Sequence, residues 1–94
     1  MNFKSTKKRK LVCIMFTDIV GYTSLMSNNE AQALKILDEN RYNHKTVVSK
    51  YGGELIKELG DGVMATFNTA SDAVTAACEI LVASEKNKFL KLTY

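Results

Sequence analysis

The stretch FTDIVGYTSLM, residues Phe16 to Met26, places a single carboxylate, Asp18, at the end of an apolar run. The run itself, Leu11 to Phe16, is continuously apolar and predicts a β-strand that is covered on both faces. Gly21 permits a sharp bend or a close approach of the backbone to a ligand. Tyr22 to Ser27 then fits one short helical segment. A carboxylate is unusual at the end of a buried strand, and the rest of the sequence indicates which roles Asp18 could have.

A long helix is predicted downstream, from Glu30 to Tyr51, because this stretch contains no glycine or proline and its apolar residues recur at helical spacing. Asn28 or Asn29 is its expected N-cap. The predicted core-facing stripe includes two polar side chains, Arg41 and His44. We interpret His44, the only histidine, as a helix-face residue and not as a metal ligand. The apolar members of the stripe are Ala33, Leu34, Ile36, Leu37, Val47 and Val48.

Two further strands and a second helix follow. Glu54 to Leu59 and Val63 to Phe67 predict an antiparallel pair joined by the tight turn Gly60 to Gly62. Thr69 is the expected cap of the second amphipathic helix. Phe89 to Tyr94 has the pattern of the start of a fourth strand. This order predicts an α+β, ferredoxin-like (split βαβ) fold in which the chain stops before the fourth strand is complete.

Composition and charge fit one small globular domain. The chain has 94 residues and a net charge of +3, and five lysines and arginines fall within residues 1–10. We interpret 1–10 as a basic flexible tail and 11–94 as the domain. Contact of the tail with nucleic acid or a membrane is the alternative. The tail contains one aromatic residue, Phe3, and no basic stripe continues past Lys10, so neither partner is expected.

The remaining signals concern cellular location. Leu11 to Phe16 is too short for a signal-peptide core or a membrane span, so no membrane contact is expected within the chain. Cys13 and Cys78 lie far apart among apolar residues and lack metal-type spacing. We expect two reduced, buried thiols, which suits a cytoplasmic protein.

Asp18 and Asp61 are the candidate chemical pair. The first and third strands of a ferredoxin-like sheet are neighbours, so an acid at the end of one can face an acid in the turn that begins the other. Paired carboxylates repel each other, and Mg²⁺ or a similar hard cation relieves that repulsion together with substrate phosphates. Two alternatives remain open, because Asp18 can cap the following turn and Asp61 can be an ordinary Asp-Gly hairpin residue.

The two motifs FTDIVGYTSLM and GGELIKELGDGVMATFNTASDAV together resemble the catalytic domain of class III nucleotidyl cyclases, the adenylyl and guanylyl cyclases. The resemblance covers Leu11 to about Val82. It implies that Asp18 and Asp61 bind two Mg²⁺ or Mn²⁺ ions and that the backbone carbonyl of Ile19 joins the metal shell. It also implies that ATP or GTP is the substrate and that a homodimer shares its active sites between subunits.

The same resemblance assigns substrate contacts. Gly21, Tyr22 and Thr23 match the loop whose amides hold the triphosphate. Lys57 matches the purine-reading position, where lysine accompanies adenine and glutamate accompanies guanine, and in the family it acts on the site of the other subunit. Adenylyl cyclase activity, from ATP to cyclic AMP and pyrophosphate, is therefore the expected function.

This sequence departs from the family in its length. The family domain continues into a second half, which supplies another purine contact and a catalytic asparagine and arginine, and these have no match within the 94 residues. The chain is therefore expected to be either a fragment or a natural short relative. Two other functions stay open: a non-catalytic nucleotide-binding or regulatory module, and a dimerising scaffold that binds no ligand.

Overall fold

The computed structural model describes residues 11–85 and the backbone of residues 92–93. The predicted order of strands and helices is confirmed, and so is the α+β class. The prediction of a basic flexible tail falls on residues 1–10 and lies outside the described residues, as do most positions of the predicted fourth strand. The elements are β1 (Cys13–Ile19), α1 (Tyr22–Asn28), α2 (Glu30–Lys50), β2 (Glu54–Leu59), β3 (Gly62–Phe67), α3 (Ala70–Ser84) and β4 (Leu92–Thr93).

The strands form one antiparallel sheet in the order β2-β3-β1-β4. Strand β1 pairs with β3 from Cys13 opposite Phe67 to Thr17 opposite Val63. On its other side, Asp18 and Ile19 pair with the two residues of β4. The prediction that the first and third strands are adjacent is thus confirmed. Their pairing brings the end of β1 beside the beginning of β3.

The prediction for β1 was wrong in two respects. The strand ends at Ile19 and not at Phe16, so Asp18 lies within it. It is also covered on one face only, because Met15, Thr17 and Ile19 are buried whereas Ile14 and Phe16 remain 61% and 54% exposed. The described helices pack against a single face of the sheet. We call the other face, which carries Ile14, Phe16 and Asp18, the open face.

Helices α2 and α3 close the core against the covered face. The main cluster joins Met15 and Phe67 of the sheet to Val48 of α2 and Ile80 of α3. The predicted stripe of α2 is largely correct. Two positions differ, because Leu34 is 46% exposed and Asn40, which was not predicted to be in the stripe, is fully buried. A period of 3.6 residues predicts the direction of the buried face, but not which polar residue near its edge is covered.

Local signals define where the helices begin and end. Asn29 accepts a hydrogen bond from the Gln32 amide at 3.1 Å, and Thr69 accepts one from the Asp72 amide at 3.0 Å. Gly52, just past α2, has φ 69°, a left-handed conformation that glycine adopts without strain. Asn29 and Thr69 are N-caps that the sequence predicts.

The expectation of two buried thiols was wrong. Cys78 is exposed on α3 and Cys13 is half-buried at the start of β1, and both are free. In the part of the chain that the structure describes, none of the helices combines the length and the hydropathy needed to cross a lipid bilayer.

Candidate functional site

Asp18 and Asp61 come from different elements. Asp18 is exposed near the end of β1 and lies on the open face, because side chains alternate along a strand and its neighbours Thr17 and Ile19 are buried. Asp61 lies in a two-residue loop, Gly60–Asp61, which the pairing of Leu59 with Gly62 closes. Gly60 has φ 57°, so the first loop position has the positive φ that a tight hairpin uses.

The structure brings these two carboxyl groups into hydrogen-bonding contact. That hydrogen bond is the largest cause that raises the pKa of Asp18 above its ordinary value, followed by partial desolvation and by the negative charge of Asp61. Close approach is also evident at Gly62, where a Cβ atom would lie 3.8 Å from Asp18 Oδ1. Asp18 therefore holds its proton more tightly than an isolated aspartate does, and a cation that replaces this proton would relieve the repulsion from Asp61.

The predicted phosphate-binding residues lie in the segment that leaves β1. Gly21, with φ 72°, is the N-cap of α1, and no side chain caps this helix. Tyr22 is half-buried and Thr23 is exposed at the first helical positions. The side chain of Ile19 is buried. These residues follow Asp18 directly, so the structure brings them to the same end of the sheet as the two acids.

Lys57 lies on the open face but not next to the acids. It pairs with Met64, which pairs with Phe16, so the three residues form one row across β2, β3 and β1. Directly paired residues of antiparallel strands share a face. Two strand spacings, about 10 Å, separate the Lys57 backbone from β1. Within one subunit, therefore, the Lys57 backbone does not lie beside Asp18. Among the described residues, no ion pair joins Lys57 to Asp61.

A set of polar contacts behind the sheet was not predicted. His44 Nε2 lies 2.7 Å from Thr17 Oγ1, and His44 Nδ1 lies 2.8 Å from the Asn40 carbonyl oxygen. Arg41 Nη2 donates to the Gly60 carbonyl at 3.4 Å. His44 is correctly interpreted as a residue of the core-facing side of α2. The signal for the contacts was available, because polar residues within a core-facing stripe need buried partners.

The donor set at the two acids suits a hard cation bound together with phosphate. Among residues 11–85, no group of three or more histidine, cysteine, aspartate or glutamate side chains is arranged to hold a metal ion. A cation here would thus rely on two carboxylates and on further oxygens from the backbone or a ligand. Mg²⁺ is commonly bound in this way, through one or two carboxylates plus substrate phosphates.

An apolar groove of about 380 Å³ lies elsewhere on the molecule, between β1 and α3. Its lining includes neither acid and consists of Ile14, Met15, Phe16, Ala73, Val74 and Ala77. The groove is therefore separate from the candidate site.

Comparison with known structures relates this fold to nucleotide cyclases. A bacterial light-regulated adenylyl cyclase superposes with a TM-score of 0.77 at 21% identity, covering 86% of this chain and 48% of that one. The guanylyl cyclase Cya2 gives a TM-score of 0.75 at 21% identity, with 86% and 50% covered. An adenylate cyclase from Trypanosoma brucei gives 0.75 at 22% identity, with 78% and 32% covered.

Sequence comparison gives the family. Putative adenylate cyclase 3 of Rhizobium meliloti (strain 1021) is 32% identical over an alignment of 79 residues, which covers 82% of this chain and 13% of that protein. The chain thus spans about half or less of the length of these relatives. The family model for the adenylate and guanylate cyclase catalytic domain matches residues 4–85. This chain belongs to the adenylate and guanylate cyclase catalytic domain family.

Proposed function

We propose that the chain forms part of an adenylyl cyclase domain that binds ATP and divalent cations at Asp18 and Asp61 and converts ATP to cyclic AMP and pyrophosphate. The observation that carries this proposal is the contact between the two carboxyl groups, with the raised pKa of Asp18. Asp18 is exposed and Asp61 is half-buried, and two carboxyl groups in contact favour replacement of a shared proton by a cation. Membership of the cyclase family supplies the substrate class.

The proposed reaction is an intramolecular phosphoryl transfer. The ribose 3′-hydroxyl gives its proton to water, and its oxygen attacks the α-phosphorus, so that a new oxygen–phosphorus bond forms. The bond between the α-phosphorus and the oxygen that bridges to the β-phosphorus breaks, and pyrophosphate leaves with that electron pair. Divalent cations, when bound, would lower the pKa of the 3′-hydroxyl and offset the charge of the phosphates. Asp18 and Asp61 would hold two such ions, Mg²⁺ or Mn²⁺, with the carbonyl of Ile19.

The proposed substrate contacts follow from the resemblance of the two motifs to class III nucleotidyl cyclases. The amides of Gly21, Tyr22 and Thr23 would hold the triphosphate, since they follow Asp18 at the same end of the sheet. Lys57 would donate a hydrogen bond to adenine N1, where guanine carries an N–H. The name of the Rhizobium meliloti relative, an adenylate cyclase, agrees with this preference for ATP. ATP as substrate and two free cysteines fit a cytoplasmic location.

A homodimer would complete the site. Lys57 lies on the open face away from the acids of its own subunit, as expected of a residue that reads the purine in the site of a partner. The open face exposes apolar side chains that a partner subunit would cover. In the described part of the sheet, the exposed large apolar side chains are Ile14, Phe16, Ile56 and Leu59.

One observation favours a second candidate, a nucleotide-binding module without turnover. Cyclisation builds negative charge on the phosphates, and loss of one preorganised charge donor costs on the order of 10²- to 10³-fold in rate. Arg41 is the one arginine in residues 11–85, and it contacts Gly60 and Glu58 from α2, behind the sheet. It is therefore not available as that donor on the open face.

Calorimetric titration with Mn²⁺ and a non-cyclisable ATP analogue tests the proposal. The unchanged protein should bind the analogue only with Mn²⁺. Asp18→Asn and Asp61→Asn should each weaken binding by about 10-fold or more, because each removes an anionic ligand of nearly the same shape. Asp38→Asn, an exposed change on α2, is the matched control and should bind normally. Unchanged affinity in both site variants would contradict the metal assignment.

A product assay separates the candidate functions. Incubation with Mn²⁺ and ATP, followed by mass spectrometry, should yield cyclic AMP if the chain turns over. Metal-dependent binding without product indicates the nucleotide-binding module. Absence of metal-dependent binding leaves the ligand-free scaffold.

A further inference from the structure

Helix α2 contacts the residue immediately before each of the two aspartates. His44 contacts Thr17, which precedes Asp18, and Arg41 contacts Gly60, which precedes Asp61. Arg41 and His44 are three residues apart, so they lie on the same side of the helix. One face of one rigid helix therefore meets both segments that carry the acids.

The contact at Thr17 is buried and its direction is determined. His44 Nδ1 lies 2.8 Å from the carbonyl oxygen of Asn40, which can only accept, so Nδ1 carries the proton. Nε2 is then the acceptor for the Thr17 hydroxyl at 2.7 Å. Burial lowers the pKa of His44, and this keeps the ring in the neutral form that the arrangement needs. The Thr17 side chain, 2% exposed, is thus fixed to α2 on the covered side of β1.

The contact at Gly60 is longer and closer to solvent. Arg41 Nη2 donates to the Gly60 carbonyl at 3.4 Å, and Arg41 Nε lies 3.9 Å from Glu58 Oε1. Glu58 pairs with Val63, which is buried, so its carboxylate lies on the α2 side of β2. Arg41 therefore connects α2 to both the end of β2 and the loop that carries Asp61.

These contacts bear on the distance between the two carboxylates. Once both are ionised they repel each other. The pairing of Thr17 with Val63 holds the backbones of β1 and β3 together, and the contacts from α2 add a restraint beside each acid. We propose that Arg41 and His44 are positioning residues through which α2 holds Asp18 and Asp61 at the separation that a shared divalent cation requires. This inference rests on the proposed metal and nucleotide site.

A purely structural role makes a different prediction. If His44 and Arg41 only stabilise the fold, changes at their contacts should lower the melting temperature and leave cation affinity of the folded protein unchanged. If they position the acids, cation affinity should fall in protein that is still folded. Changes to the outer partners of metal ligands typically weaken metal affinity by about 10- to 100-fold.

Two substitutions of Thr17 test the buried contact. Thr17→Val keeps the branched shape and removes the hydroxyl, whereas Thr17→Ser keeps the hydroxyl. Binding of Mn²⁺ with a non-cyclisable ATP analogue would be measured by calorimetry at a temperature where circular dichroism shows each variant folded. We expect Thr17→Val to bind about 10-fold more weakly or worse, and Thr17→Ser to restore affinity to within about threefold of the unchanged protein.

Arg41→Met tests the second contact, with Lys50→Met as its matched control. Both remove one positive charge from α2, and Lys50 pairs with Glu79 of α3 and not with the hairpin. Loss of a positive charge near the acids should by itself strengthen cation binding. Weaker Mn²⁺ binding in Arg41→Met, with normal binding in Lys50→Met, would therefore indicate that the two acids are no longer held in position. The change in electrostatic potential alone would have the opposite effect.

The outcomes separate the inference from the proposed function. If the unchanged protein shows no Mn²⁺-dependent binding of the analogue, the proposed function fails and the inference fails with it. If the unchanged protein binds, and folded Thr17→Val and Arg41→Met bind equally well, the proposed function stands and the positioning role is overturned. Equal losses in Thr17→Val and Thr17→Ser would also contradict it, because the hydroxyl would then have no specific effect.

Discussion

At the scale of single residues, the chemistry of the site depends on a contact that the hairpin and β1 create together. Asp18 and Asp61 are recognisable from their positions at the end of an apolar run and in a Gly-Asp-Gly turn. Their hydrogen bond is not predictable in the same way, because it depends on the register that pairs Thr17 with Val63. A one-residue slip of that register would turn one of the two strands over and separate the acids.

The pH dependence of stability tests this contact. Because the pKa of Asp18 is raised in the folded state, the native protein binds its proton more tightly than the unfolded chain does. Stability is therefore lost as the pH rises from the ordinary aspartate value through the raised one. Asp18→Asn removes this loss. Its melting temperature relative to the unchanged protein should rise across that window. The difference should reach only roughly 1–4 °C at pH 7 without metal, since solvent screens the exposed Asp18.

The other carboxyl groups titrate in both proteins, so their effects cancel in the difference between the two melting temperatures. Thermal scans of both proteins from pH 3 to pH 7 are therefore sufficient. A constant difference across this range would show that Asp18 has no raised pKa. Added Mn²⁺ should reverse the order of stability at pH 7, because only the unchanged protein keeps both of the proposed acidic ligands.

Lys57 gives a prediction about specificity. In a form of the domain extended to the length of its relatives, Lys57→Glu should shift the preference from ATP toward GTP by roughly 10-fold, about the effect of one hydrogen bond. The shift should be partial if the part of the relatives that this chain does not match supplies a second purine contact. Lys45→Glu makes the same charge change at an exposed site on α2 and should leave the preference unchanged. Competition between the two nucleotides measures both, and an unaltered ratio in Lys57→Glu would remove its assigned role.

At the scale of elements, the helices were predicted more accurately than β1. Capping residues and a period of 3.6 are local signals, and α2 and β2 lie within one residue of their predicted bounds. The end of β1 depends on its partners, since Thr17 pairs with β3 and Asp18 and Ile19 pair with β4. The prediction that both faces of β1 are covered was also wrong, because an apolar run does not show how many faces of a strand are buried.

Gly53 provides a test of how α2 joins β2. A Cβ atom at this position would lie 2.5 Å from Phe67 Cε1 and 2.8 Å from the Thr66 carbonyl oxygen. Phe67 is 1% exposed, so its ring has little room to move. Gly53→Ala should therefore lower the free energy of unfolding by about 1–3 kcal/mol through overpacking.

Gly52→Asn is the matched control at the neighbouring position. A Cβ atom there meets nothing within 4 Å, and asparagine tolerates the left-handed conformation better than other residues do. Urea denaturation of both variants should show a clear loss of stability for Gly53→Ala and a smaller one for Gly52→Asn. The reverse order would show that the packing against Phe67 is not tight.

At the scale of the whole molecule, the described helices and sheet form two layers, and the sheet keeps one open face. Ile14 and Phe16 remain exposed there, in the same strand as Asp18. Apolar patches beside polar groups mark interaction sites on many proteins. The open face is therefore the surface on which the proposed homodimer would place its shared sites.

Phe16→Asp should weaken that association. A charge in the middle of the open face would be desolvated on dimerisation, so the dimer dissociation constant should rise by about 10-fold or more. Val82→Asp introduces the same charge at a 60% exposed apolar position of α3 and should leave association unchanged. Analytical ultracentrifugation over a concentration series compares the two. Equal effects would place the interface elsewhere.

A crystal structure of the protein with Mn²⁺ and a non-cyclisable ATP analogue, examined by anomalous scattering at the manganese edge, tests whether Asp18 and Asp61 form the cation site. We expect anomalous peaks between the carboxyl groups of Asp18 and Asp61, with metal–oxygen distances of about 2 Å and triphosphate oxygens in the same coordination shell. Manganese bound elsewhere, or fully occupied triphosphate with no anomalous peak at these two carboxylates, would show that the two acids do not form this site.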